Sequence, residues 1–248
     1  MSTTIYYFSA TGNCLTTAHN VASYYENAKV ISISSIKNKQ IVENSDIIGF
    51  VFPIYYGTMP YIVKSFIENM TFINKPYIFI LSTCRGHTGL VASRLQKILE
   101  AKGQKLSLAR NIVMPGNSWI STPEENKERL LNQSNNIKKE MTDILNQLVE
   151  TYPTDIEIKE TPVDFPNNFR GITVDDNCVG CGICSRVCPM HNIELVEGKA
   201  QISDNCITCL RCFHWCPKEA IYMSKEESVA RRFKYHHPDV KLTDFIDK

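Results

Sequence analysis

The chain has 248 residues, 43% hydrophobic and 21% charged, with a formal net charge of +1, which suits one large globular domain or two modest ones. No stretch reaches the roughly 18 unbroken apolar residues of a membrane helix; the nearest, 47–63, is interrupted by Pro53, Gly57 and Pro60. The start, Met1-Ser2-Thr3-Thr4, has no basic segment leading into an apolar run, and no dense basic stripe follows. The expectation is a cytoplasmic protein without membrane insertion or nucleic-acid binding.

In chain order, Thr4–Phe8 is a short β-branched and aromatic run, and the spacing predicts a helix over 13–26 and a second strand over Lys29–Ile33. Asp46–Phe52 reads as a strand buried on both faces, followed by a helix near 60–69. Tyr77–Ser82 is a further apolar strand, and 89–102 an amphipathic helix ending at Gly103. Leu106–Met114 is the fifth strand, and Thr122-Pro123 opens a long helix to about Val149. Five strands separated by helices predict an α/β fold with a doubly wound parallel sheet over residues 1–151.

Residues 152–171 contain Pro153, Pro162 and Pro166 with little periodicity and read as a surface linker. Residues 172–224 then repeat themselves. Asp176-Asn177-Cys178 recurs as Asp204-Asn205-Cys206, and Cys188-Pro189 as Cys216-Pro217, each at an offset of 28. Such a repeat predicts two halves about a pseudo-two-fold axis. The tail, 225–248, is charged, and its His236-His237 pair is expected at the surface.

Eight of the ten cysteines form two runs, Cys178-x2-Cys181-x2-Cys184-x3-Cys188 and Cys206-x2-Cys209-x2-Cys212-x3-Cys216. In a reducing compartment this bunching points to metal rather than disulfides. Structural zinc favours two separated pairs closing one tetrahedron, whereas a cubane cluster needs a tight triplet and a fourth thiolate from elsewhere. Both runs resemble those of the bacterial two-cluster ferredoxins over about 50 residues. That resemblance implies two [4Fe–4S] clusters and a small α+β domain. It gives the first cluster Cys178, Cys181, Cys184 and Cys216, and the second Cys206, Cys209, Cys212 and Cys188. Arg211, His214 and Trp215 stand beside ligands, either as tuning groups or as packing.

At the first strand–helix junction lies Ser9-Ala10-Thr11-Gly12-Asn13-Cys14, where free amides, hydroxyls and the helix dipole form an anion site or simply a turn. A helix N-terminus lowers the pKa of a thiol such as Cys14, although no partner group stands beside it. The run resembles the flavodoxin phosphate loop, with Cys14 where a hydroxyl residue is usual. The resemblance extends over roughly residues 1–150 and implies strand order 2-1-3-4-5 with FMN at the switch point. It implies two further flavin loops, Pro53-Ile54-Tyr55-Tyr56-Gly57 and Thr83-Cys84-Arg85-Gly86-His87, with Tyr55 or Tyr56 stacking on the ring.

As a whole the chain resembles the flavodoxin–ferredoxin fusion proteins of anaerobic bacteria. Residues 1–150 carry +4 and residues 151–248 carry −3, a contrast that favours pairing of the two parts or docking of redox partner proteins. The resemblance implies an electron carrier joining FMN to one-electron partners. Two alternatives stay open. One is an FMN-dependent reductase whose pocket is walled by Tyr56, Met59, Arg85, His87 and Trp119. The other is a ferredoxin whose N-terminal part has lost flavin and serves for docking.

Overall fold

The computed structural model describes residues 1–36, 39–86, 88–117, 122–155, 157–159, 171–223 and 234–246. Its elements run β1 (Thr3–Tyr7), α1 (Asn13–Ala22), β2 (Lys29–Ser32), α2 (Ile33–Ile36), β3 (Ile41–Glu43), β4 (Ile47–Pro53), α3 (Tyr61–Glu68), β5 (Met70–Phe72), β6 (Tyr77–Cys84), α4 (Val91–Glu100), β7 (Leu108–Val113) and α5 (Pro123–Leu145). There follow β8 (Ile172–Val174), α6 (Ile183–Val187), β9 (Ile193–Val196), β10 (Lys199–Ile202), α7 (Arg211–Trp215) and β11 (Ile221–Met223).

Five strands form one parallel sheet in the order β2-β1-β4-β6-β7. Counted within the sheet this is 2-1-3-4-5, a flavodoxin-like fold. The central strand β4 (IIGFVFP) is buried on both faces because its apolar run has no polar alternation. Ile48, Phe50 and Phe52 join Phe66 and Leu95 on one side, while Val51, Phe79 and Leu81 meet Ile137 and Met141 on the other. Thr122 caps α5 by accepting the Glu125 amide at 3.3 Å, with Pro123 in the first turn. The short parallel pair β3–β5 and the single turn α2 were not among the predicted elements, being too brief to show a period.

The C-terminal part is a small α+β unit built on the 28-residue repeat. β8 pairs with β11 and β9 with β10, both antiparallel, so the two pairs exchange under a pseudo-two-fold operation. The helices α6 and α7 are related by the same offset. So are the left-handed backbone positions Gly180 and Thr208, Gly182 and Leu210, and His191 and Glu219.

Most of the predicted linker (156 and 160–170), the last residue of the repeat region (224) and the start of the tail (225–233) lie outside the described residues. The tail that follows is not a free surface strand. His237 is 3% and Tyr235 5% exposed, and Phe245 packs with Leu15 and Val187 between the two parts of the chain. The charged composition of the tail concealed its few anchoring rings. No helix among the described residues is long and apolar enough to cross a membrane.

Candidate redox site

The eight cysteines of the repeat line two separate small cavities, and they do so in crossed sets. Cys178, Cys181 and Cys184 share the first cavity with Cys216, whereas Cys206, Cys209 and Cys212 share the second with Cys188. The crossing follows from the fold. Each tight run curls round its own cavity, and the short helix after it carries the fourth cysteine across to the other half. Among the described residues no three acidic, histidine or cysteine side chains close on a single point. The thiols instead stand round a space, as a cubane requires, each corner iron taking one sulfur.

Backbone amides are aimed at sulfurs of both sets, one pair of them with the same symmetry. Asn192 donates to Cys188 Sγ and Ala220 to Cys216 Sγ, both at 3.4 Å and 28 residues apart. Ala200 donates to Cys178 Sγ and Thr208 to Cys206 Sγ, again at 3.4 Å. Burial pushes the Cys184 thiol up to about 11 and the Cys209 thiol up to about 12. Thiolates here therefore need a compensating metal charge, and loading the site releases protons.

At the carboxyl ends of β1, β4, β6 and β7 lies a cleft of about 270 Å³. It gathers residues 9–11, 13 and 14 from the first loop, 53–56 from the second and 83–85 from the third. Gly12, Gly57 and Gly86 belong to the same loops but do not line it. Sequence reasoning missed two walls. Met114, Pro115, Gly116 and Asn117 follow β7, and Thr208, Cys209 and Leu210 come from the second cysteine run. The first of these was findable, since it too leaves the carboxyl end of a sheet strand. The second had no local signal. Of the residues considered for a substrate wall, Met59 is buried in the core at 1% exposure, while His87 and Trp119 lie outside the described residues.

The first loop retains part of an anion cradle. Among the described residues the amides of Ala10 and Thr11 find no acceptor, and Gly12 donates to Ser9 Oγ at 3.1 Å. Asn13 is otherwise engaged: its Nδ2 donates to the Pro115 carbonyl at 2.7 Å and its Oδ1 accepts from Tyr235 Oη at 2.6 Å. Cys14 is not activated by its place at the start of α1. Burial dominates and pushes its thiol up to about 12, with Thr83 Oγ1 3.1 Å from its sulfur. In the second loop Tyr55 and Thr58 pair across a tight turn whose central residues, Tyr56 and Gly57, have φ of 51° and 77°. The turn leaves Tyr56 47% exposed and tucks Tyr55 inward, where its hydroxyl has no hydrogen-bond partner among the described residues. Arg85 is held by Glu125 at 3.0 Å. The loops thus offer free amides, an unpaired phenol and an exposed ring, a donor set that fits a phosphorylated aromatic cofactor such as FMN.

The seam between the two parts is dense with polar contacts. Trp215 Nε1 donates to the Ala10 carbonyl at 3.2 Å, and the His237 amide to the Thr11 carbonyl at 2.8 Å. His214 donates from Nε2 to the Asn117 carbonyl at 2.7 Å and accepts the Tyr235 amide on Nδ1 at 3.1 Å. Both nitrogens are thereby committed to the neutral ring, and burial lowers its pKa to about 3. A Cβ on Gly12 would lie 2.7 Å from Val240 and 2.8 Å from His237, so only glycine lets the tail lie so close to the loop.

Residues 177–221 match the family model of the 4Fe-4S dicluster domain. The chain therefore joins a flavodoxin-like sheet to a dicluster domain, whose cysteines are those already described. Among solved structures, a flavoprotein in complex with FMN from Lactobacillus acidophilus shares 17% identity, over 44% of this chain and 92% of its own, with a TM-score of 0.35. Oxidised flavodoxin 1 from Bacillus cereus shares 15% over 56% of this chain and 98% of its own, at 0.34. A flavodoxin from the domain Archaea shares 13% over 56% and 98%, at 0.33. No curated protein matches the chain.

Proposed function

We propose that this chain is a cytoplasmic electron-transfer protein that holds two [4Fe–4S] clusters and relays electrons between FMN in the cleft and one-electron partner proteins. The observation that carries the proposal is a shared wall: Cys209, in the set round the second cavity, also lines the cleft. Cluster one would take Cys178, Cys181, Cys184 and Cys216; cluster two would take Cys206, Cys209, Cys212 and Cys188. Residues 1–151 form the flavin module, 152–171 the linker and 172–224 the cluster module in this reading.

When bound, FMN would exchange two electrons and each cluster one, which couples two-electron donors to one-electron acceptors. The protein supplies placement and environment. The amides of Ala10 and Thr11, with the hydroxyls of Ser9 and Thr11, hold the phosphate, and Tyr56 offers a ring at the mouth for stacking. The amide bonds to sulfur and the apolar walls set the cluster potentials and limit water. Cys181 is exposed, so an outside partner can approach cluster one, whereas Cys209 is 8% exposed and faces the cleft.

The test is an anaerobic absorption spectrum with iron, sulfide and released flavin quantified per chain. About eight irons with about one FMN supports the relay. About eight irons with no flavin, even after FMN is added, removes the relay and leaves a two-cluster protein with a flavodoxin-shaped docking module.

A further inference from the structure

Arg211 is a buried cation without a carboxylate. It is 4% exposed, and among the described residues no acidic side chain pairs with it. Its hydrogen bonds go to neutral acceptors: the Val187 carbonyl at 3.0 Å, the Ser9 carbonyl and Ser34 Oγ at 3.3 Å. Its guanidinium lies 5.5 Å from the ring centre of Phe8 and 5.1 Å from that of Phe245. Nε has no acceptor among the described residues. Asp244 lines the same neighbouring cleft but is bonded to the Lys241 amide. An uncompensated guanidinium in such a place is costly, and guanidinium does not escape by losing its proton.

Arg211 stands two residues after Cys209 and donates to the carbonyl of Val187, the residue before Cys188, so the sulfurs its charge acts on are those of Cys209 and Cys188. Both sulfurs belong to the set round the second cavity. Loaded, that set carries net negative charge, and one more negative charge when reduced. A fixed cation in a water-poor seam favours the more negative state, because little solvent screens the interaction. The equivalent residue of the first half is Ile183, which is partly exposed and uncharged.

Resting on the two-cluster reading, we propose that Arg211 is the built-in counter-charge of cluster two and raises its reduction potential above that of cluster one. An electron delivered from outside to cluster one then runs downhill to the cluster beside the cleft. One electron leaves cluster one as one arrives at cluster two, with no bond or proton exchanged.

The test is a potentiometric titration of the full-length, cluster-loaded chain, followed by electron paramagnetic resonance with iron counted in each sample. The wild type should show two one-electron midpoints. Arg211→Met should lower the higher one by at least about tenfold in its equilibrium constant, about 59 mV, and leave the lower one in place. Arg211→Lys should keep the wild-type values. Ser34→Asp puts a carboxylate beside the guanidinium without opening the packing, and should reproduce the shift seen with Met; it decides the matter where Arg211→Met does not assemble. Unmoved midpoints at full iron content, a shift of the lower midpoint, or equal movement of both would overturn the proposal. A wild type with fewer than two clusters would instead overturn the two-cluster reading.

Discussion

The two halves of the dicluster domain start from one pattern and end in different surroundings. Val179 is 61% exposed, whereas its counterpart Ile207 is 1% exposed and joins the core of the flavodoxin-like sheet. Gly180 and Gly182 become Thr208 and Leu210, which keep the left-handed backbone at φ of 53° and 59° while their side chains fill the seam. Cys181 is exposed and Cys209 buried; Ile183 becomes Arg211. The loop that faces outward needs only glycines and water. The loop that faces the partner domain tolerates strained non-glycine residues because their burial offsets the strain. A symmetric cofactor scaffold is made directional by dressing one half.

The largest way to break this comparison is to remove a crossing ligand. Cys188→Ala, in the first run, should abolish the second cluster, and Cys216→Ala the first, each lowering iron from about eight to about four per chain. Cys188→Ala should disturb the cleft as well, because Cys209 lines both spaces. Paired iron analysis and flavin titration would check this, and loss of flavin affinity in Cys216→Ala alone would contradict it.

Next in size is packing. Ile207→Ala should cost about 2–5 kcal/mol in chemical denaturation. Val179→Ala, the same position in the other half, should stay within about 0.5 kcal/mol. Equal losses would mean that the seam contributes nothing.

Backbone strain gives a smaller contrast. A Cβ on Gly180 would run into the Gly198 carbonyl, and φ there is +65°. Gly180→Ala should therefore cost about 1–3 kcal/mol. Thr208→Gly relieves strain while losing contact, and should fall within about 1 kcal/mol of wild type.

The smallest effect is acid sensitivity of the seam. His237 accepts the Asp239 amide on Nδ1 at 3.2 Å, so Nε2 carries the proton given to Gln133 Oε1 at 2.7 Å. Burial holds its pKa below the ordinary 6.5. The unfolded chain therefore takes up the proton first, and stability is full above about pH 6.5 and falls as pH drops below it. Protection factors at residues 234–246, that is, exchange rates corrected for the intrinsic slowing of amide exchange in acid, should fall between pH 7 and pH 5, and His237→Gln should weaken that dependence.

Much of this was legible in the chain. The cysteine spacing, the 28-residue repeat and the five apolar strands are local patterns, and local patterns need only neighbours a few residues apart to be read. The loops after the first, third and fourth sheet strands were found because a parallel sheet puts all its carboxyl ends on one side. The loop after β7 follows the same rule and lacked only a motif. The tail misled because Tyr235, His236 and His237 sit in charged company. Nothing in their order tells that Tyr235 reaches Asn13 or that His236 stacks on Trp215 at 3.8 Å.

By itself, then, the sequence determined the chemistry that depends on spacing: two cysteine sets, a doubly wound sheet and a loop with free amides. Tertiary structure alone decided which half of the repeat is buried, that Cys209 walls the cleft, and that Arg211 reaches Ser9 across 202 residues of chain. The reason is physical. Ligand geometry and strand period are set by covalent reach, whereas the seam is set by which surfaces meet when two separate cores are brought together. A buried cation, a strained leucine and a neutral histidine acquire their meaning only there.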